Sequence, residues 1–198
     1  MTDINSLQNE LSRLHLSFPD NIKLSKASIE YHMSAPERMG YVFLHSHVGV
    51  AHIDLYSFAL PQLRESSPEL LRKLPKEFVV QSQRQAIAHS LSVARFIVAV
   101  HEDFSKSPAY KSHGLAGDYS VTHMTTRAIR VLLVALEHDL YHDIAAYTTA
   151  PPWSNGSADK AEIESLLIGM LNATEAWSHI YSVTKIAVRI LCILVDDV

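Results

Sequence analysis

The segment His138-Asp139-Leu140-Tyr141-His142 places two histidines four positions apart. On a helix that spacing sets both imidazoles on one face, where they can chelate a divalent metal. Asp139 stands where Glu follows the first histidine in zinc metalloproteases, with one methylene less reach toward a metal-bound water. A catalytic zinc needs a third protein ligand, and Glu162 or Glu164 on the next helix are the evident offers. This is the metal-dependent hydrolase reading. Its competitor is a polar helix end, where histidine complements the helix dipole.

A second group is His45, His47 and His52. His45 and His52 are seven apart and share a helix face, while His47 points elsewhere, so three convergent ligands are not expected from this segment. A hydrogen-bonded, partly buried histidine is expected, with Asp54 or Tyr56 as neighbour. Cys192, the single cysteine, lies in Ile190-Leu191-Cys192-Ile193-Leu194. One thiol excludes an internal disulfide and a multi-cysteine zinc site, and an apolar setting keeps it inert. No nucleophile elbow, Walker loop or dinucleotide glycine pattern occurs. Trp153 and Trp177 read as packing anchors. The residues alone assign no catalytic or cofactor-binding group.

These side chains must ride on helices. The chain has 198 residues, the size of one domain, able to bury roughly 70% of its unfolded surface. Apolar residues make up 47% and charged residues 19%, which excludes a disordered segment. Six glycines and eight prolines are about 7% of the chain, against a usual share of about 12%. Such a shortage of breakers favours long helices. A net charge of −4 lacks the basic footprint of a nucleic-acid binder. The opening Met1-Thr2-Asp3-Ile4-Asn5 has neither the basic flank nor the apolar run of a signal peptide. The apolar stretch 186–195 is shorter than the ~20 residues of a membrane span and contains Arg189. An intracellular chain without membrane contact is expected, in which the sequons at Asn155 and Asn172 carry no meaning.

Ile4, Leu7, Leu11 and Leu14 mark the apolar face of a first helix, stopped at Phe18-Pro19. A polar connector is expected over 20–35. Pro36 suits the first turn of a second helix over 37–60, apolar on most of its circumference and hence central. A charged connector over 62–76 leads to a third helix over 76–102, whose polar start at 81–85 is expected to project from the core. A fourth helix, capped by Ser120, is expected to reach about 147. Asp159 and Glu162 resemble a capping box for a fifth, and 161–194 is one helix or two. The expectation is all-α: an irregular bundle of five or six helices in a single domain, with mobile loops near 104–119 and 148–158. The helix at 186–195 is apolar all round, which predicts an exposed apolar patch, marginal stability and self-association or dependence on a partner.

The second helix also carries a resemblance. Tyr41-Val42-Phe43-Leu44-His45, His52-Ile53-Asp54-Leu55-Tyr56 and Leu60-Pro61-Gln62-Leu63-Arg64-Glu65-Ser66 resemble the regulatory domain of fungal zinc binuclear cluster transcription factors. That family's apolar helix carries a Leu-His step and an aromatic-His pair, then Asp-Leu-Tyr-Arg, then Pro-Gly and an acidic residue. Leu7-Gln8-Asn9-Glu10-Leu11 with Leu16-Ser17-Phe18-Pro19, and Gln83-Arg84-Gln85-Ala86-Ile87-Ala88-His89-Ser90-Leu91, are similar to the helices flanking this signature. The similarity spans about 7–102. Ser57 stands where Arg is common and Gln62 where Gly is common.

The resemblance implies a helical domain controlling transcription in the nucleus through co-regulators, self-association or a small-molecule effector. DNA reading and zinc would belong to a separate six-cysteine module, so this chain, a fragment or truncated product, is not expected to bind DNA itself or to hold a cofactor. His45, His52, Asp54, Leu55, Tyr56, Pro61 and Glu65 are then a structural signature. A helical small-molecule carrier, with the second helix as one wall of an enclosed pocket, is the remaining alternative.

Overall fold

A computed structural model describes residues 2–64, 66–106, 119–142, 144 and 158–178. Among these residues there are seven helices and no strand: α1 (Thr2–Ser17), α2 (Lys26–Ser34), α3 (Arg38–Ser57), α4 (Pro68–Lys73), α5 (Lys76–Ser105), α6 (Tyr119–Glu137) and α7 (Lys160–Ser178). The class is all-α. Both stretches expected as mobile loops lie largely outside the described residues, as do Trp153, Cys192 and the apolar run 186–195.

α3, α5 and α6 pack against one another, with α7 on α5 and α6, α1 along α3, and α2 against α3 and α5. Ile53 from α3, Ile87, Leu91 and Ile97 from α5, and Met124, Ile129 and Leu132 from α6 are wholly buried where the three meet. Gly49 permits the close approach of α3. A Cβ there would lie 2.7 Å from Val93 Cγ2 and 3.3 Å from Met124 Sδ.

Two helices replace expected connectors. Ser25 caps α2, its hydroxyl accepting from the Ser28 amide at 3.1 Å. Ser67 caps α4 ahead of Pro68 and Glu69, the residues that suit a first turn. Short helices of low apolar content escape a periodicity reading but are specified by their caps.

The polar start of α5 projects only in part: Gln81 is exposed, but the helix turns Ser82 and Gln85 inward. Ser82 and Gln85 are 2% and 3% exposed. Most buried hydroxyls are accommodated by donating to the carbonyl four residues back, as Ser46 does to Val42, Ser90 to Ala86 and Thr125 to Val121. α1 also departs from expectation: Leu7 and Leu14 face outward rather than into the core.

α6 ends ten residues before its expected terminus. Asp139 adopts a left-handed φ of 52°, the Leu140 amide donates to the Ala135 carbonyl at 2.9 Å, and the Asp139 amide donates to Leu136 at 3.4 Å. These bonds form a Schellman motif with Asp in the place usually held by Gly.

Candidate functional site

The Schellman turn removes the premise of the hydrolase reading. His138 and His142 fall beyond α6, in turns, so the one-face spacing of a helix does not apply to them. Glu162 Oε1 accepts from Arg95 Nε at 3.0 Å and Nη2 at 2.5 Å, and Glu164 pairs with Lys160 at 3.8 Å. Among the described residues no three His, Cys, Asp or Glu side chains are gathered as metal ligands.

The chemistry-bearing groups converge instead around α3. Tyr41, His45, His52 and Tyr56 form one buried stripe along it. Facing them on α5 are Gln85, His89, Ser92 and Phe96, a second buried stripe at helical spacing. α1 contributes His15 and α2 contributes His32.

The rings form two groups joined through Phe18, which stacks on His15 at 5.8 Å and meets His45 edge-on at 6.4 Å. His32 stacks on Tyr41 at 4.3 Å between centroids, and Tyr41 meets His45 edge-on at 4.5 Å. His15 lies 5.9 Å from His52, also edge-on. His52 stacks on His89 at 4.0 Å and 13°, and Tyr56 continues the stack at 5.8 Å. His45 Nε2 donates to the Ile22 carbonyl at 2.8 Å, which fixes its tautomer. Both ring nitrogens of His52, His89 Nε2, the Ser92 hydroxyl and the Tyr41 hydroxyl are buried without a hydrogen-bond partner among the described residues. His52, His89 and Ser92 border a cavity of about 20 Å³ beside Gly49, room for a single water.

Burial pushes His45 and His52 down to about 4, holds His89 well below the ordinary imidazole range and lowers His15. The Ile22 carbonyl opposes the shift at His45 by favouring a proton there. Like charge adds to the effect of burial: Lys23 lowers His15, and the rings disfavour one another's protonation, His15 and His32 acting on His45, His15 on His52, and His52 with His15 on His89. His45, His52 and His89 are therefore neutral at pH 7. The Ser92 hydroxyl is not hydrogen-bonded to an imidazole, and no carboxylate among the described residues acts on the rings to orient one as a base. The array lacks the geometry of a nucleophile–base pair.

The other signature residues are spread out. Asp54 pairs with Arg127 Nε on α6 at 3.1 Å instead of meeting a histidine. His47 is exposed and donates to the Phe43 carbonyl. Leu55 is half-buried, Pro61 sits in the turn after α3, and Glu65 lies outside the described residues. Sequence reasoning found His45 and His52 but missed His15, His32 and His89. The signal that could have found His89 was the polar stripe Ser82, Gln85, His89, Ser92 at helical spacing beside the apolar positions of α5. Among the described residues a second hollow of about 220 Å³ lies between α1, α3 and α5, lined by Gln8, Tyr56, Phe78 and Gln85, while those of 440 and 540 Å³ are open grooves along α1.

Comparison with family models, with curated proteins and with solved structures finds no match to this chain.

Proposed function

We propose that this chain is a helical regulatory domain of the type found in fungal zinc binuclear cluster transcription factors, acting through effector or partner contacts while a separate module reads DNA. The observation that carries the reading is the turn after α3. Gln62 has a φ of 60°, the left-handed conformation that favours Gly, at the position where that family has Gly after Pro. The Leu63 amide closes the turn on the Pro61 carbonyl at 2.8 Å. Further support comes from α3 itself, whose signature residues His45, His52 and Tyr56 are core groups at the junction of α1, α2 and α5.

The test is a fusion of the full chain to a heterologous DNA-binding module in fungal cells with a matched reporter. Reporter output that differs from the module alone, at equal abundance, is the expected result. Output identical to the module alone, with the fusion folded and nuclear, overturns the reading.

A further inference from the structure

α1 presents an unpartnered apolar face among the described residues. Leu7 and Leu14 are 54% and 49% exposed, two helical turns apart. They border an apolar groove of about 440 Å³, whose floor is Leu11 and whose far wall is Ala51 and Leu55 of α3. Glu10 and Arg13 line the grooves on this side of the helix, carry opposite charges and lie three residues apart.

We propose that this face is a self-association surface, in which α1 packs antiparallel against α1 of a second copy about a two-fold axis near Leu11. A two-fold contact requires a surface complementary to itself, and the residue order along α1 supplies one. With the axis near Leu11, Leu7 lies opposite Leu14 of the second copy and Leu14 opposite its Leu7. Glu10 then lies two residues from direct opposition to Arg13 of the second copy, a stagger of about 3 Å that both side chains can span, and the symmetry repeats that pair. A parallel arrangement would put the Glu10–Arg13 flank of each copy on opposite sides of the seam and make no such pair, so charge favours the antiparallel one. The leucine ridge of each copy enters the groove that the other forms between α1 and α3. A single 16-residue helix is small for an interface, so the dimer is weak and concentration-dependent. The inference does not depend on the proposed function.

Sedimentation equilibrium of the full chain, from micromolar to sub-millimolar concentration, tests it. Wild type is expected to pass from monomer to dimer. Glu10→Arg alone and Arg13→Glu alone each set like charges against one another twice and weaken dimerisation roughly tenfold. Mixing the two single variants sets a copy with two cations at these positions against a copy with two anions. Opposite charges then meet at both ends, and association returns as a heterodimer. The variant carrying both substitutions exchanges the two charges and restores the homodimer. Leu14→Ser abolishes the dimer with the fold retained, since that side chain is half-exposed. A wild type that stays monomeric throughout overturns the proposal. So does a dimer indifferent to the charge variants, which would place the contact elsewhere on the chain.

Discussion

His52 of α3 and His89 of α5 stack face to face, 4.0 Å between centroids and 13° from parallel, with three of their four ring nitrogens buried and lacking hydrogen-bond partners among the described residues. Two protonated imidazoles could not hold this geometry, since two like charges would face each other 4.0 Å apart in a buried site. The stack is a device of the neutral form, and it joins the fold's stability to proton concentration.

The sign of that dependence follows from linkage. Unfolding returns His45, His52 and His89 to an ordinary pKa near 6.5, while in the fold burial lowers the first two to about 4 and holds His89 well below its ordinary value. Below pH 6.5 the unfolded chain therefore binds more protons, and stability falls as pH drops toward 4. Stability is fully present above about pH 7, and His45 and His52 each forfeit on the order of 3 kcal/mol by pH 4. Urea midpoints taken between pH 7.5 and 5 check this, a window above the carboxylate range. A midpoint independent of pH there would contradict the neutral array.

His52→Phe keeps a planar ring against His89 and removes two unsatisfied nitrogens. Replacing an unpartnered buried polar group by an apolar one of similar shape is neutral to stabilising, here by up to about 1 kcal/mol at pH 7. The same variant should flatten the pH profile by one proton. Parallel denaturation curves at pH 7 and pH 5.5 report both effects.

Two glycines of α3 should respond in opposite directions to alanine. Gly40 has nothing within 4 Å of a new Cβ, so Gly40→Ala gains helix propensity, about 0.5–1 kcal/mol. Gly49→Ala meets Val93 at 2.7 Å, a β-branched side chain with little rotamer freedom, between α5 and α6. Overpacking of this kind costs about 1–3 kcal/mol, more than the propensity gain. Thermal unfolding of the pair gives the comparison directly, and equal shifts would mean that α3 does not sit as close to α5 as described.

Asp159 Oδ1 accepts from the Glu162 amide at 2.8 Å, so half of the expected capping box forms. The other half does not, because the Glu162 carboxylate turns to Arg95 across the α5–α7 contact. Asp159→Ala should lose about 1 kcal/mol, the usual worth of an N-cap. The loss should be seen in the unfolding midpoint with the helix content retained.

Long helices were legible in the sequence because their signals are local: Pro36 and Pro61 bracket α3, and the core positions of α5 and α6 recur with helical period. Other features depended on partners that a single sequence does not display. The apolar face of α1 is plain, but whether it turns toward α3 or away from it is decided by the groove it meets, and Leu7 and Leu14 turned outward. Ser82 and Gln85 read as solvated until α3 covers them. His89 gains its meaning only from His52, 37 positions away in the chain and one helix across in space. Asp139 hid a helix end because aspartate tolerates the left-handed conformation less openly than glycine announces it.

Gln62 is the second non-glycine residue held in that conformation, and it should be the more strained. Asp has a short side chain that can stabilise a left-handed backbone locally, whereas Gln lacks that compensation. The turn is also tight, since the Leu63 amide reaches back only two residues to the Pro61 carbonyl. Against this strain stands one exposed side-chain bond, Gln62 Nε2 donating to Glu137 Oε1 at 3.0 Å across to the end of α6. An exposed bond to a carboxylate contributes about 0.5–1 kcal/mol, while a left-handed non-glycine residue forgoes about 1–2 kcal/mol. Gln62→Gly should therefore stabilise the chain, by roughly 0.5–1 kcal/mol. Gln62→Ala keeps the strain, loses the bond and should destabilise by a similar amount. Denaturant unfolding of the two variants beside wild type decides the matter: the ranking Gly above Gln above Ala supports a turn built for glycine, and Ala equal to Gly would show that the backbone there is not left-handed.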